Sequence, residues 1–200
     1  LTDQDACRKA VEDTIERAGK IDGLIHNAGT NDGVGLDASP SDFFESLRKN
    51  LLHVFSLTHF ALDELVKNRG VVINVGSKVA ETGQGGTSGY AAAKGAMNGL
   101  TREWALDLAD RGVRVNAVIP AEVMTPMYRR WLDSLSDPDA TLASIEENVP
   151  LAKRMTTDRE IADAVVFLAS SRSSHTTGQI FHPDGGYLHL DRSYGKIKVD

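Results

Sequence analysis

Apolar positions along the chain follow two spacings, one typical of helices and one typical of strands. In residues 3–18 apolar and small side chains recur every three or four positions, and Gly19 ends that segment. Helical spacing returns over residues 39–68, 88–111 and 158–170. Between the helical segments stand short runs of strand character, at residues 21–26, 71–75, 113–119 and 179–182. This succession predicts strands and helices that alternate along the chain, as in α/β proteins.

The longest helical segment begins with a helix-start motif. Ser39 supplies a capping hydroxyl, Pro40 suits the first turn, and Asp42 stands at the third position. We expect this helix to continue to about Asn68. Its apolar face consists of seven side chains (Phe44, Leu47, Leu51, Val54, Phe55, Leu62 and Leu65). Asn50 interrupts that face, although an amide in the middle of a helix is usually just solvated.

The last third of the chain contains two polar segments. Residues 126–149 are polar and are interrupted by Asp137-Pro138, which predicts two short helices that form a mobile lid over a pocket. Trp131 in this segment is either a stacking surface for a ligand or part of the lid's own small core. Residues 191–200 form a polar tail. The 200 residues, 41% hydrophobic with 18 glycines, fit a single domain with a real core.

Composition excludes several classes of function. The formal net charge is -6 and no basic patch is visible, so we expect no nucleic-acid partner. No apolar run approaches membrane-spanning length, and the six histidines have no metal-ligand spacing, so we expect neither a membrane nor a metal site. The single cysteine, Cys7, cannot form an internal disulfide and suits a reducing compartment. These features indicate a soluble cytoplasmic protein.

Three side chains of complementary chemistry follow the strand at residues 71–75. Ser77 stands where the strand ends, and Tyr90 and Lys94 lie four positions apart on the next helix, so they project from one face. A free tyrosine has a pKa near 10, and a neighbouring ammonium favours its phenolate form, which would make Tyr90 a proton acceptor or donor for an alcohol or a carbonyl. The plainer interpretation is a half-buried tyrosine, a solvated lysine and a loop serine.

Further motifs accompany these residues in a fixed order. They are Asn27-Ala28-Gly29 after a strand, Asn50 in a long helix, Val113-Arg114-Val115-Asn116 in a later strand, Pro120 and Thr125, Thr177-Gly178 and Asp184-Gly185-Gly186. As a set, over residues 1 to about 190, they resemble the short-chain dehydrogenase/reductase family. The resemblance implies a Rossmann-like, doubly wound parallel sheet with flanking helices in one domain, and an oxidoreductase that uses NAD or NADP.

The resemblance also assigns roles to residues. The implied catalytic set is Asn50, Ser77, Tyr90 and Lys94, with Ser77 bonded to the reacting oxygen and Asn50 holding a water near Lys94. The implied cofactor contacts are Asn27, Ala28, Gly29, Tyr90, Lys94, Pro120, Val123 and Thr125. The family usually has glycine after the proline, so Ala121 is a departure. The long helix and the Tyr90 helix pair across subunits in the family, commonly in a homotetramer and otherwise in a dimer.

Longer strings indicate a substrate. NDGVGLDA, TGQGGTSGY, LTREWALDL and VNAVIPAEVMTPMYRRW resemble the L-fucose dehydrogenase branch of the family, which implies oxidation of the anomeric hydroxyl of L-fucose or a related aldose to a lactone. Polar Asn31, Gln84 and Glu122 suit a polyhydroxylated ring. Turn chemistry explains Asn31 equally well, and an exposed loop glutamate is more often idle. A reductase of 3-oxoacyl or other carbonyl substrates and a non-catalytic binding protein on the same fold are the alternatives.

One expected feature does not occur in these 200 residues. The family begins with a strand and a glycine-rich turn for the pyrophosphate, followed by a residue that selects NAD or NADP. Roughly sixty residues, the N-terminal half of the dinucleotide-binding fold, are missing by that comparison. We therefore expect the 21–26 strand to lie at an exposed sheet edge. The resemblance therefore implies NAD or NADP without a choice between them.

Overall fold

Four strands form one parallel sheet in the computed structural model, which describes residues 1–190. The strands run in sequential order β1-β2-β3-β4, and each pairs with its neighbour in parallel. They are β1 (Gly23–His26), β2 (Val71–Val75), β3 (Arg114–Val118) and β4 (Ile180–Phe181). The predicted strands are confirmed: β2 has the predicted bounds, and the other three are shorter than predicted. The predicted tail at 191–200 lies outside the described residues.

Eight α-helices connect the strands or flank them in the described part of the chain. They are α1 (Gln4–Ala18), α2 (Pro40–Leu47), α3 (His53–Phe60), α4 (Leu62–Lys67), α5 (Ser88–Asp107), α6 (Pro126–Asp133), α7 (Pro138–Glu147) and α8 (Asp158–Ala169). The predicted cap at Ser39 forms a full capping box with Asp42, and Thr157 forms another with Glu160. None of the helices in residues 1–190 is both long and apolar enough to cross a bilayer.

The two faces of the sheet bury separate apolar clusters, because successive strand residues point to opposite faces. Val72 and Val115, which are register partners, pack on one face with residues of α1, α4 and α5. Val71 and Ile73 pack on the other face against Ala164 and Leu168 of α8. Helices therefore cover both sides of the sheet, as expected for a Rossmann-like fold.

The edge strand β1 leaves apolar surface uncovered. Among residues 1–190 it pairs with β2 alone, and Ile25 is 56% exposed. This agrees with the exposed edge that the sequence predicts for the first strand.

The prediction of one continuous helix over residues 39–68 is wrong. A π-helical segment, Arg48–Leu52, separates α2 from α3, and Ala61 separates α3 from α4. A π turn contains one more residue than an α turn and rotates the side chains around it. Asn50 lies in this segment and is fully buried, whereas the seven-residue apolar face is divided: Phe44 is 69% exposed and Phe55 is 53% exposed.

The predicted pair of short helices in residues 126–149 is present. Helices α6 and α7 are separated as expected, because Asp137 begins α7 by accepting the Ala140 N–H at 3.0 Å and Pro138 occupies its first turn. Thr125 begins α6 in the same way, by accepting the Tyr128 N–H at 3.1 Å.

The start of α5 packs tightly against α2, and a glycine makes this possible. A Cβ added at Gly89 would lie 2.6 Å from both Cβ and Oγ of the buried Ser46. By contrast, a Cβ added at Gly95 on the same helix meets nothing within 4 Å. Gly89 therefore sets the distance between the helix that carries Tyr90 and its neighbour.

We expect Gly89→Ala to lower the free energy of unfolding by about 1–3 kcal/mol, because overpacking forces α2 and α5 apart. The matched substitution Gly95→Ala should raise it by up to about 1 kcal/mol, since glycine is a poor helix former. Urea denaturation of the two variants and the wild type measures both values. Equal effects of the two substitutions would contradict the packing argument.

Candidate active site

The carboxyl ends of the first three strands bring three chain segments to one edge of the sheet. Asn27 follows β1, Ser77 follows β2 after Gly76, and Pro120 follows β3 after Ile119. In parallel α/β sheets, ligands bind at this edge. Gly76 permits the close approach of β2 and β3 here, because a Cβ at that position would lie 2.3 Å from the Ile119 side chain.

Lys94 is the most deeply buried charged group of the site. It lies on α5, is 2% exposed, and its Nζ donates a hydrogen bond to the Val75 carbonyl oxygen at 2.8 Å. Burial lowers the pKa of Lys94 from 10.5 to about 8. The Lys94 Nζ also lies 5.6 Å from the centre of the Tyr90 ring, so the helical spacing brings the two side chains together as the sequence predicts.

The expected effect of Lys94 on the pKa of Tyr90 is not present in the structure. Burial raises the pKa of Tyr90 above its ordinary value of 10.0, and a hydrogen bond with Ser77 acts in the opposite direction. The Lys94 ammonium is directed to the Val75 carbonyl instead of the phenol oxygen, and the desolvation of Tyr90 dominates. The hydrogen bond shows that Ser77 and Tyr90 are brought together. Because its pKa is raised, the Tyr90 phenol is neutral at pH 7.

Asn50 and Gly29 lie next to Lys94. The Asn50 Oδ1 accepts the Thr30 N–H at 2.8 Å, and its Nδ2 donates to the Ser46 carbonyl oxygen at 3.0 Å. A Cβ added at Gly29 would lie 3.2 Å from the Asn50 Oδ1 and 3.5 Å from the Lys94 Nζ. The glycine thus lets the loop after β1 pass between two polar groups from different helices.

The remaining predicted cofactor residues border the same edge. Asn27, Ala28 and Gly29 are exposed in the turn after β1. Pro120 accepts the Lys78 N–H at 3.1 Å, and Val123 is buried in a bridge with Thr156. The Thr125 hydroxyl oxygen accepts a backbone N–H, which leaves its own proton free to donate.

These groups fit a nicotinamide nucleotide. In residues 1–190, the Lys94 ammonium uses one hydrogen bond, to Val75, and keeps further donors for ribose hydroxyls. The Thr125 hydroxyl can donate to a carboxamide oxygen. The turn at 27–29 leaves exposed backbone beside Lys94.

The three predicted substrate residues are in different situations. The Asn31 Oδ1 accepts the Gly33 N–H at 3.3 Å, so turn chemistry accounts for its position. Gln84 is exposed in the loop that contains Gly85 and Gly86. Glu122 is buried, not an exposed loop residue: its carboxylate pairs with the Lys78 ammonium and accepts the Tyr128 hydroxyl at 2.7 Å.

Sequence reasoning missed the partners of Glu122. Lys78 also donates to the Tyr187 hydroxyl oxygen at 3.2 Å and lies 4.4 Å from the centre of that ring. A basic residue directly after Ser77 and an acidic residue after β3 point to the same sheet edge, so their opposite charges were an available signal. Trp131 packs edge-on against Tyr128, with the ring centres 5.2 Å apart, and 46% of its surface is exposed.

A buried histidine pair beneath the site was also missed. The His26 Nε2 lies 2.9 Å from the Thr58 hydroxyl, whose own proton goes to the Val54 carbonyl oxygen. His26 therefore donates from Nε2. Burial, followed by the influence of His53 and Lys94, lowers the pKa of His26 to about 4, so it is neutral at pH 7. Nowhere in residues 1–190 do three His, Cys, Asp or Glu side chains gather as potential metal ligands.

A family model and known proteins match almost the whole chain. A family model described as "Enoyl-(Acyl carrier protein) reductase" matches residues 1–188. The 3-oxoacyl-acyl-carrier-protein reductase FabG of Thermotoga maritima is 36% identical over 190 residues, which cover 94% of this chain and 74% of that protein. The L-fucose dehydrogenase of Bos taurus is 36% identical over 198 residues, which cover 98% of this chain and 73% of that protein.

Solved structures agree with the described fold. The crystal structure of Cj0485 dehydrogenase has a TM-score of 0.94 and 44% identity, and the match covers all of this chain and 76% of the other. The aldohexose dehydrogenase of Thermoplasma acidophilum in ligand-free form has a TM-score of 0.91 and 27% identity, with all of this chain and 78% of the other covered.

The burial of Lys94 predicts a pH-dependent stability. Its folded pKa of about 8 lies below the ordinary 10.5, so the folded state disfavours the charged form. Relative to Lys94→Met, burial of the charged ammonium lowers the unfolding free energy of the wild type by its full amount below pH 8. This destabilisation disappears as the pH rises to 10.5. We expect the difference in unfolding free energy to change by about 3 kcal/mol between pH 7 and pH 10.5. Denaturation at both pH values measures it, and a pH-independent difference would contradict the assigned burial effect.

Proposed function

Because the chain belongs to the short-chain dehydrogenase/reductase family and is an NAD(P)-dependent oxidoreductase, we propose that it oxidises the anomeric hydroxyl of L-fucose or a related aldose to the lactone. The observation that carries this proposal is the meeting of Ser77, Tyr90 and Lys94 at one sheet edge. A hydroxyl bonded to a phenol, with an ammonium close to the phenol ring, can form a proton-transfer site for an alcohol.

In the proposed mechanism Tyr90 takes the proton of the substrate hydroxyl, and Ser77 holds the same oxygen by a hydrogen bond. The neutral phenol present at pH 7 donates a proton in the reverse direction, and a rising pH favours the phenolate that oxidation requires. The nicotinamide, when bound, supplies the hydride acceptor. Lys94 binds the nicotinamide ribose and favours the phenolate when its ammonium is redirected from the Val75 carbonyl.

Other residues complete this proposal. Asn50 anchors the loop after β1 through Thr30 and holds a water near Lys94. Asn27, Ala28, Gly29, Pro120, Val123 and Thr125 would hold the cofactor. The helices α6 and α7 form a lid beside the site, within the segment 126–149 of a single domain. Asn31 and Gln84 are weaker substrate candidates than Glu122, because one is engaged in a turn and the other is exposed.

The choice of a sugar rests on relatives and on polarity. An L-fucose dehydrogenase matches nearly the whole chain, and an aldohexose dehydrogenase matches its fold closely. Reduction of a 3-oxoacyl substrate is the second candidate, since a FabG protein has the same 36% identity. The polar groups gathered around Glu122 favour the sugar, because sugar hydroxyls can pair with them and an acyl chain cannot. Matches to oxidoreductases over almost all of the chain favour catalysis over a purely binding role.

We further propose a homotetramer, or a dimer if only one surface is used. A groove with an apolar lining joins α2, the π-helical segment, α3 and α5; its lining residues are Phe44, Leu47, Arg48, Leu51, Leu52, Phe55 and Leu100. Helix α8 and strand β4 carry a second set of exposed apolar side chains, Val166, Phe167 and Phe181. Two such surfaces suit the two interfaces of a symmetric tetramer. The buried free thiol of Cys7 supports the proposed cytoplasmic location.

The substrate proposal is tested by absorbance at 340 nm with a panel of aldoses, 3-oxoacyl thioesters and both nicotinamide cofactors. We expect L-fucose, or a sugar of the same ring configuration, to give the highest kcat/KM. Tyr90→Phe should lower kcat at least 10³-fold with an unchanged unfolding transition, because it removes only the phenol proton carrier. Turnover of acyl ketones with no response to sugars would favour the second candidate, and a fully active Tyr90→Phe protein would contradict the mechanism.

The oligomer proposal is tested by light scattering after chromatography. We expect the double substitution Phe44→Ser, Phe55→Ser to convert the assembly into smaller species, since both side chains border the apolar groove. Leu106→Ser is the control, because Leu106 is 81% exposed and lies outside both apolar sets. A wild-type monomer, or an assembly unaffected by the double substitution, would refute this interface.

A further inference from the structure

A polar cluster at the sheet edge is not used by the proton-transfer residues. It joins Lys78 from the end of β2, Glu122 from the end of β3, Tyr128 from α6 and Tyr187 from the 3₁₀ turn Tyr187–His189. Lys78 and Tyr128 bond different oxygens of the Glu122 carboxylate. The Lys78 ammonium also reaches the Tyr187 hydroxyl. Four chain segments therefore converge on one ion pair.

The cluster borders the proposed substrate site. Lys78 is the residue directly after Ser77, and its N–H bonds the Pro120 carbonyl oxygen. Glu122 lies between Pro120 and Thr125, two of the residues proposed to hold the cofactor. The Lys78 side chain is 16% exposed and the Glu122 side chain is 6% exposed, so the pair is largely shielded from solvent and Lys78 is its more accessible member.

The charges of the cluster cancel. Burial alone would lower the pKa of Lys78, but Glu122 and Tyr187 hold it above its ordinary value, so Lys78 is cationic at pH 7. Burial and the neighbouring Glu122 raise the pKa of Tyr128, so its phenol stays neutral. One positive and one negative charge in contact attract a further charge far less than an isolated ammonium would.

The cluster retains hydrogen-bonding capacity. Within residues 1–190, the Lys78 ammonium uses two of its three N–H donors, on Glu122 and Tyr187. The Tyr187 hydroxyl accepts from Lys78 and keeps its own proton. The Tyr128 oxygen donates to Glu122 and keeps lone pairs. Donors and acceptors side by side match vicinal hydroxyl groups, each of which donates and accepts.

We propose that Lys78 and Glu122, supported by Tyr128 and Tyr187, form a charge-neutral recognition element that selects uncharged polyhydroxylated substrates and rejects carboxylate-bearing ones. This inference rests on the proposed function, because it places the substrate in the same cleft. Glu122 is the specificity-determining residue: it compensates the ammonium that would otherwise bind an anion. Removal of its charge opens the site to acidic sugars.

A matched pair of sugars tests this selection. L-galactose and L-galacturonate have the same ring configuration and anomeric hydroxyl, and they differ at carbon 6, which carries a hydroxymethyl group or a carboxylate. The measured quantity is the ratio of kcat/KM for the neutral sugar to that for the acid. We expect a ratio of at least tenfold in the wild type. Glu122→Gln should lower the ratio at least tenfold, and added salt should reverse part of that change.

Two further variants separate charge from structure. Lys78→Gln leaves the Glu122 carboxylate uncompensated and should raise the ratio at least tenfold, which gives a test in the opposite direction if Glu122→Gln does not fold. The double substitution Lys78→Gln, Glu122→Gln should restore the wild-type ratio within about threefold, because the site is neutral again. Tyr128→Phe removes a hydrogen bond but no charge and should leave the ratio within about twofold.

The outcomes distinguish this inference from the proposed function. If the wild type oxidises L-galactose and neither single charge substitution changes the ratio in the expected direction, the inference is overturned and the sugar oxidation stands. If neither sugar is oxidised, calorimetric titration of both sugars into the cofactor-bound protein replaces the kinetic ratio. The expected shifts in relative affinity then support the inference while the proposed reaction fails, and their absence overturns both.

Discussion

The buried ammonium of Lys94 and its hydrogen bond to the Val75 carbonyl are the constraint on which the site depends. This contact ties α5 to the end of β2. A buried charge is costly, which is why its pKa falls to about 8, and the sheet edge must offer it oxygen partners. The carbonyl at the end of a parallel strand is such a partner, because no further strand pairing uses it. Tyr90, one turn away on the same helix, is placed by the same contact.

The site contains two lysines in opposite electrostatic environments. Lys78 is compensated by a carboxylate, whereas Lys94 takes part in none of the ion pairs formed by residues 1–190. An uncompensated buried ammonium is suited to interact with a phenolate or with the polar groups of a bound nucleotide. A compensated ammonium, such as that of Lys78, contributes hydrogen bonds, but the neighbouring carboxylate cancels its charge. In the proposed function, Lys94 would act on the reacting oxygen and Lys78 would take part in recognition of the rest of the substrate.

Packing at the back of the site explains why small residues recur around it. The loop after β1 passes between Asn50 and Lys94 at Gly29, and α5 approaches α2 at Gly89. The π turn at Arg48–Leu52 places the Asn50 amide in the interior, where both ends of the amide are hydrogen-bonded to backbone. The buried, neutral His26 fills space beneath this arrangement and bonds Thr58. Most polar groups named here are satisfied, which holds the edge of the sheet in a fixed geometry.

The sequence by itself determined the alternation of elements, the helix cap at Ser39, and the shared helix face of Tyr90 and Lys94. The elements and the cap follow from local sequence, and the four-residue spacing along a helix puts Tyr90 and Lys94 on one face. The place of Ser77 beside them was implied by the family resemblance. The π turn, the exposure of Phe44 and the raised pKa of Tyr90 were decided by tertiary structure, because each depends on what surrounds the residue. The same holds for the Lys78–Glu122 pair: its members stand 44 positions apart and meet only because parallel strands end at one edge.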